Sequence, residues 1–220
     1  MPEPVTIVAV AGGLAGLATH LARRYFQMAK EVVDVILGFI LLICFLPILG
    51  VCALIIKLAN RGRGPVLFVQ ERVGREGKTF RMYKLRTMRL NAESATGAVW
   101  ASARDPRVIP ACRWMRRTHI DELPQLINVI KGDMSIVGPR PERPEILAQL
   151  EKTYPDVRKR LAVRPGITGL AQIRNGYDTT VSAFRNKLNA DLEYIEQQKW
   201  SLELRILAGT VAKFNDRQSR

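Results

Sequence analysis

From Val35 to Ile56 the chain reads VILGFILLICFLPILGVCALII, and no charge interrupts it. A run of this length matches the roughly 20 residues a helix needs to cross a bilayer's hydrocarbon core. Lipid offers no backbone partners, so the segment must be helical if it is inserted. Pro47 stands near its middle, removes one helical hydrogen bond and crowds the preceding turn, so a kink is expected there. Both flanks are basic: Arg23, Arg24 and Lys30 precede the run, and Lys57, Arg61 and Arg63 follow it. Cytoplasmic flanks attract Lys and Arg, so both ends qualify for the same side. The pattern predicts a re-entrant helix that enters, breaks at Pro47 and returns; a straight span and a buried core helix are the alternatives. A second apolar stretch, Val5 to Leu21, lacks the basic start of a signal peptide. With Gly12 and Gly16 four apart, it reads as an additional membrane-associated or packing helix.

The chain has 220 residues and a formal net charge of +14, with a pI near 10.3. So basic a chain implies an anionic partner: nucleic acid, an anionic membrane surface or a phosphorylated substrate. The charge is concentrated, since residues 61–120 hold 14 Lys+Arg against 4 Asp+Glu. Cys44, Cys52 and Cys112 form no zinc or disulfide pattern and read as reduced and structural, which fits a cytoplasmic setting. His20 and His119 are isolated, and neither is expected to bind metal.

Beyond Asn60 the character changes. VLFVQERVG and TFRMYKLRTM predict two strands joined around Arg75 to Lys78. Alternation places Arg81, Tyr83 and Leu85 on one side and Lys84 and Arg86 on the other. A solvated face and a phosphate-facing surface are both open for Lys84. Residues 91–110 read as loop, with a turn at Asp105-Pro106, and a short helix is predicted from Ala111 to Thr118. The C-terminal third reads as mostly helical, interrupted at Pro155 and at residues 163–169. Its last stretch, LELRILAGTVAKF, is amphipathic and suits either a membrane surface or the core.

Within the basic region, HIDELPQL places Asp121 and Glu122 side by side. Leu123, Leu126, Ile127 and Ile130 recur at helical spacing and Gly132 ends the run, so Asp121 is predicted to be the N-cap of that helix. Capping alone would account for an arbitrary Asp-Glu pair. Downstream, Gly138-Pro139-Arg140-Pro141 holds one arginine between two prolines, which limit the backbone and suit Arg140 to bidentate phosphate binding. An ordinary rigid turn is the plainer reading. A carboxylate beside such cations is able to ligate Mg²⁺ or to attack phosphorus.

HIDELPQLINVIKGDMSIVGPRP resembles the signature of the bacterial sugar transferases, the small monotopic phosphoglycosyl transferases. QERVG and FRMYKLRTM are similar to the upstream motifs of that family, and VRPGITGLAQ to a downstream one. The resemblance runs from about Lys30 to the C-terminus. It implies a two-step transfer: Asp121, the nucleophile and a Mg²⁺ contact, attacks the β-phosphate of a UDP-sugar and releases UMP. Undecaprenyl phosphate then takes the phosphosugar, initiating exopolysaccharide or a related glycan. Glu122 matches the second acid, with proton transfer and metal positioning both open. Arg140 matches a phosphate-binding arginine, and Arg116 and Lys84 match basic positions. The family also supplies the re-entrant break at Pro47, although Leu46 stands where members often have serine. ERPE after Arg140 is most similar to members that start with a hexose, glucose or galactose; N-acetylated sugars stay open.

Together these features predict an α+β, mostly helical chain: a re-entrant membrane helix, a compact catalytic domain on the cytoplasmic face with a small β-hairpin, and amphipathic interfacial helices. The expected division is an apolar N-terminal extension (1–29), the re-entrant helix (30–60) and the catalytic domain (61–220). The extension exceeds the minimal family core and is too short for the several spans of larger members. The bacterial inner membrane and its lipid are the expected setting, and a homodimer is left open. A nucleic-acid partner is not expected, because no binding motif accompanies the charge. A non-catalytic membrane anchor would explain the apolar run but not Asp121, Glu122 and Arg140 together.

Overall fold

The computed structural model describes residues 4–90, 92, 105–174 and 184–215, and of residues 4–19 and 214–215 the backbone alone. Among the described residues the fold is mostly helical with two small sheets, compatible with the α+β class. The first helix, α1, spans Pro4–Ala59. Its part His20–Ala59 is long and apolar enough to cross a membrane. Helical geometry continues through Pro47, where the Ile43 carbonyl lacks its usual donor because proline has no N–H. The expected packing role of Gly12 and Gly16 falls outside the described side chains.

The predicted strands form an antiparallel hairpin, β1 (Leu67–Val73) and β2 (Thr79–Leu85), in a register from Leu67↔Leu85 to Val73↔Thr79. The turn between them is tight, with Glu76 at φ 59° and Gly77 at φ 81°. Opposed residues share a face, so Phe68, Gln70 and Arg72 lie on the same side as Lys84, Met82 and Phe80.

A 3-10 turn (Pro110–Cys112) leads into α2 (Arg113–Arg117), where a short helix was expected. The next segment corrects the sequence reading. Asp121 is not an N-cap; it lies inside a 3-10 helix, Ile120–Gln125, entered through a left-handed His119 (φ 53°). The α-helix proper, α3, spans Leu126–Lys131 and ends at left-handed Gly132 (φ 81°). Pro124 accounts for the shift. Its ring would crowd the carbonyl four residues back, and it disfavours α geometry at Leu123, so the chain tightens before α3 begins.

Two three-residue strands, β3 (Ser135–Val137) and β4 (Gly166–Thr168), pair in parallel. Glycines permit the close crossing beside them: a Cβ on Gly166 would lie 2.1 Å from the Gly138 nitrogen, and one on Gly169 2.2 Å from the Gly138 oxygen. Further helices among the described residues are α4 (Pro144–Thr153), a 3-10 segment (Val157–Ala162), α5 (Leu170–Arg174), α6 (Phe184–Glu196) and α7 (Trp200–Asn215).

From Arg23 to Ile56, α1 packs on this body. Gly38 lets it approach α3 closely; a Cβ there would sit 3.2 Å from Val129 Cγ1. Leu37 and Leu41 join the core of Met82, Val129, Met134, Tyr194 and Ile206. Beyond Pro47, Cys52 and Ile56 are fully buried against Leu85, Cys112 and Met115. The Lys30 ammonium, itself buried, bonds Glu203 of α7 at 2.7 Å and Asp34 at 3.3 Å. Ser135 donates to Asp34 (2.6 Å) and Tyr194 to Glu203 (2.7 Å). The outer side of α1, including Ile36, Phe39, Ile43, Leu46, Val51 and Leu54, is exposed. α7 divides likewise: Leu202 and Ile206 are buried, while Trp200, Leu204 and Val211 face outward.

Candidate active site

Asp121 and Glu122 sit where the 3-10 helix meets β2 and the later part of α1. Ile120 anchors that helix in the cluster with Cys52 and Ile56. Glu122 is fully engaged: Lys84 Nζ bonds Oε1 at 2.9 Å, and the Arg140 guanidinium grips both oxygens, with Nη1 to Oε2 at 2.9 Å. Asp121 differs. It is 7% exposed, and no described residue donates to its carboxylate or pairs with it. Arg116, on α2, has no direct bond to Asp121, yet its charge acts on that carboxyl.

This asymmetry separates the two acids electrically. Burial works against ionisation of Glu122, but Arg140 and Lys84 override it and hold the carboxyl well below the ordinary range. Asp121 is pushed up to about 6, first by burial and then by the charge of Glu122, against the pull of Lys84, Arg116 and Arg140. Lys84 is itself lowered by burial and by Arg140 and Arg72, with Glu122 opposing. Asp121 therefore offers unspent oxygen lone pairs at neutral pH, whereas Glu122 is a poor base and a strong organiser of cations.

The segment after β3 holds Arg140 by its backbone. Four consecutive carbonyls are captured: Pro139 by Gly166 N–H (2.9 Å), Arg140 by Arg160 Nη2 (2.7 Å), Pro141 by Arg72 Nη1 (2.9 Å) and Glu142 by Val73 N–H (2.9 Å). Behind this clamp lies a buried ionic cluster. Arg160, 3% exposed, bonds Asp191 at 2.7 Å and Glu142 at 3.4 Å, and Lys187 also reaches Glu142. Burial alone would raise the Glu142 carboxyl; Lys187 and Arg160 hold it at about 2.

The structure thus brings together Asp121, Glu122, Lys84 and Arg140, with Arg116 in electrostatic reach. Pro47 is remote in role, lying within the helix that backs the site. Sequence reading misses Arg160, Glu142 and Asp191, whose partners are 18 to 45 positions apart, and gives Arg72 no task within QERVG. Gln125 was also missed. It is 1% exposed, follows the acid pair in the same 3-10 helix, and its amide has no partner among the described residues.

A divalent metal fits one carboxylate here and no more. Among the described residues no group of three or more His, Cys, Asp or Glu is placed to hold a metal ion. Mg²⁺ commonly takes one or two carboxylates and completes its shell with water and substrate phosphates, which the free oxygens of Asp121 allow.

A helix long and apolar enough to cross a membrane thus backs a buried acid pair, with arginine and lysine converging on one acid. Residues 25–217 match the model of the bacterial sugar transferase family, and the chain belongs to that family. Among its relatives is a UDP-glucose:undecaprenyl-phosphate glucose-1-phosphate transferase of Caulobacter vibrioides, 42% identical over 195 residues, covering 87% of this chain and 71% of the relative. A UDP-N-acetylgalactosamine-undecaprenyl-phosphate N-acetylgalactosaminephosphotransferase of Aeromonas hydrophila is 37% identical, covering 89% of this chain but 45% of the relative. The exopolysaccharide production protein PSS of Rhizobium leguminosarum bv. phaseoli is 37% identical, covering 83% of this chain and 92% of its own.

Proposed function

We propose that this protein transfers a sugar 1-phosphate from a UDP-sugar to undecaprenyl phosphate at the bacterial inner membrane. The observation that carries the reading is the division of labour in the acid pair: Glu122 is saturated by Lys84 and Arg140, and Asp121 is left free beside them. Asp121 attacks the β-phosphorus, the bond from that phosphorus to the bridging oxygen breaks, and UMP leaves with that oxygen. The aspartyl phosphosugar is then attacked by an oxygen of the lipid phosphate, which regenerates the Asp121 carboxylate. Arg140 and Lys84 oppose the charge building on the phosphoryl oxygens. Glu122 keeps both cations in place rather than moving a proton. Mg²⁺, bound through Asp121 and substrate phosphates, would supply further charge neutralisation. The names of the relatives support the acceptor and the reaction class, and their different sugars leave glucose, galactose and N-acetylated sugars as candidates.

The same reading places the catalytic body on the cytoplasmic face, as residues 61–220, with residues 30–60 re-entrant. Support comes from the contacts of α1 on both sides of Pro47. Lys30 is bound by Glu203 at one end, and the Asn60 side chain is reached by Arg86 at the other, 3.5 Å away. A straight crossing would carry one of these polar attachments through about 30 Å of hydrocarbon.

The test is UMP release from a panel of UDP-sugars with Mg²⁺, with and without undecaprenyl phosphate, in wild type and Asp121→Asn. Release with one sugar and its loss in the variant is the expected result. Folded, lipid-supplied protein that releases no UMP with any sugar would overturn the reading.

A further inference from the structure

Arg72 carries five N–H groups, and three of them are spent. Nε and Nη2 donate to the Gln70 amide oxygen, and Nη1 donates to the Pro141 carbonyl. Both acceptors are neutral. One N–H on each terminal nitrogen remains without a partner among the described residues.

The surroundings make this unusual. Arg72 projects from the face of the hairpin that carries Lys84, and its bond to Pro141 sets it next to Arg140 in the clamp. Burial lowers the Arg72 guanidinium to about 10, and the charges of Arg140 and Arg143 add to this, with Glu142 and Glu122 offsetting part. Those two acids are committed elsewhere, Glu122 to Arg140 and Lys84, Glu142 to Lys187 and Arg160. A cation kept among cations, with no carboxylate of its own, is costly unless an anion joins it. A guanidinium with one free N–H on each terminal nitrogen matches two oxygens of a phosphate.

We propose that Arg72 is a substrate-binding residue that takes a phosphate group beside the one held by Arg140. This rests on the function proposed above, in which three phosphates pass through the site: two of the nucleotide and one of the lipid. The shared chemistry is a phosphate oxygen pair, and the two sources separate experimentally.

The experiment compares wild type, Arg72→Lys and Arg72→Gln. UMP release is measured with UDP-sugar varied, and again with undecaprenyl phosphate varied at saturating donor. UDP binding is measured by calorimetry, and the melting temperature of each protein without ligand. The expected result for Arg72→Gln is a KM raised about tenfold or more for one substrate, with Arg72→Lys in between and melting temperatures unchanged. A rise in donor KM with weaker UDP binding assigns the α-phosphate. A rise in acceptor KM with UDP binding intact assigns the lipid phosphate, and a rise in both sets Arg72 between the two. Unchanged KM values, or losses that merely follow a lowered melting temperature, would make Arg72 only a tie to Pro141 and overturn the inference. Wild type that releases no UMP would sink the proposed function instead, so the two failures are distinct.

Discussion

Glu122 and Gln125 occupy one short 3-10 helix and make opposite demands on their surroundings. Glu122 has both oxygens bonded to cations, so Glu122→Gln should loosen Arg140 and Lys84 together. The expected outcome is a fall in kcat for UMP release of about 10²-fold or more, read in steady state at saturating donor. Gln125 keeps an amide whose desolvation nothing described compensates. Leucine of similar volume removes that cost, so Gln125→Leu should stabilise the fold by about 1–3 kcal/mol, measured by denaturant unfolding in detergent. A destabilised variant would show that the amide finds a partner in solution. Neither role was readable from HIDELPQL, because local spacing predicted an N-cap and carries no record of what stands opposite. Pro124 is the local signal, because its ring tightens the turn before it.

At the scale of elements, the clamp on residues 139–142 joins a hairpin, a parallel strand pair and a 3-10 segment around one arginine. Arg160 is its pivot, so Arg160→Ala should cost about 3–5 kcal/mol, because Asp191 stays buried without its cation. Unfolding of the variant in detergent checks this. Glu142 adds a pH dependence. Its folded carboxyl titrates at about 2, below its ordinary 4.5, so its stabilising contribution is complete above 4.5 and fades as pH falls toward 2. Stability measured from pH 7 down to 3 should therefore fall less steeply in Glu142→Gln than in wild type. The hairpin was legible because seven-residue strands alternate clearly around a Gly-containing turn. The β3–β4 pair was not, since three residues show no period and glycines at 138, 166 and 169 looked like ordinary loop breakers. Their close backbone crossing appears only once both segments are side by side.

Across the whole molecule, α1 is fastened by charge as well as by apolar packing. Lys30→Leu would leave Asp34 and Glu203 buried together without a cation, and the expected cost is about 3–5 kcal/mol. Membrane fractionation should stay unchanged, because the exposed apolar side of the helix is untouched, while the melting temperature in detergent falls. The long apolar run was the easiest feature to read from sequence. Its attachment to α7 was the hardest, because the paired residues lie 173 positions apart.

That separation has a consequence for how the chain is made. Synthesis runs from the N-terminus, so Lys30 and the apolar run are made long before Glu203 exists. Until then Lys30 and Asp34 must stay in water. The rest of the fold closes onto α1 only after Glu203 has emerged. Folding of this protein is therefore ordered: the apolar run of α1 is made first, and α7 is the latch.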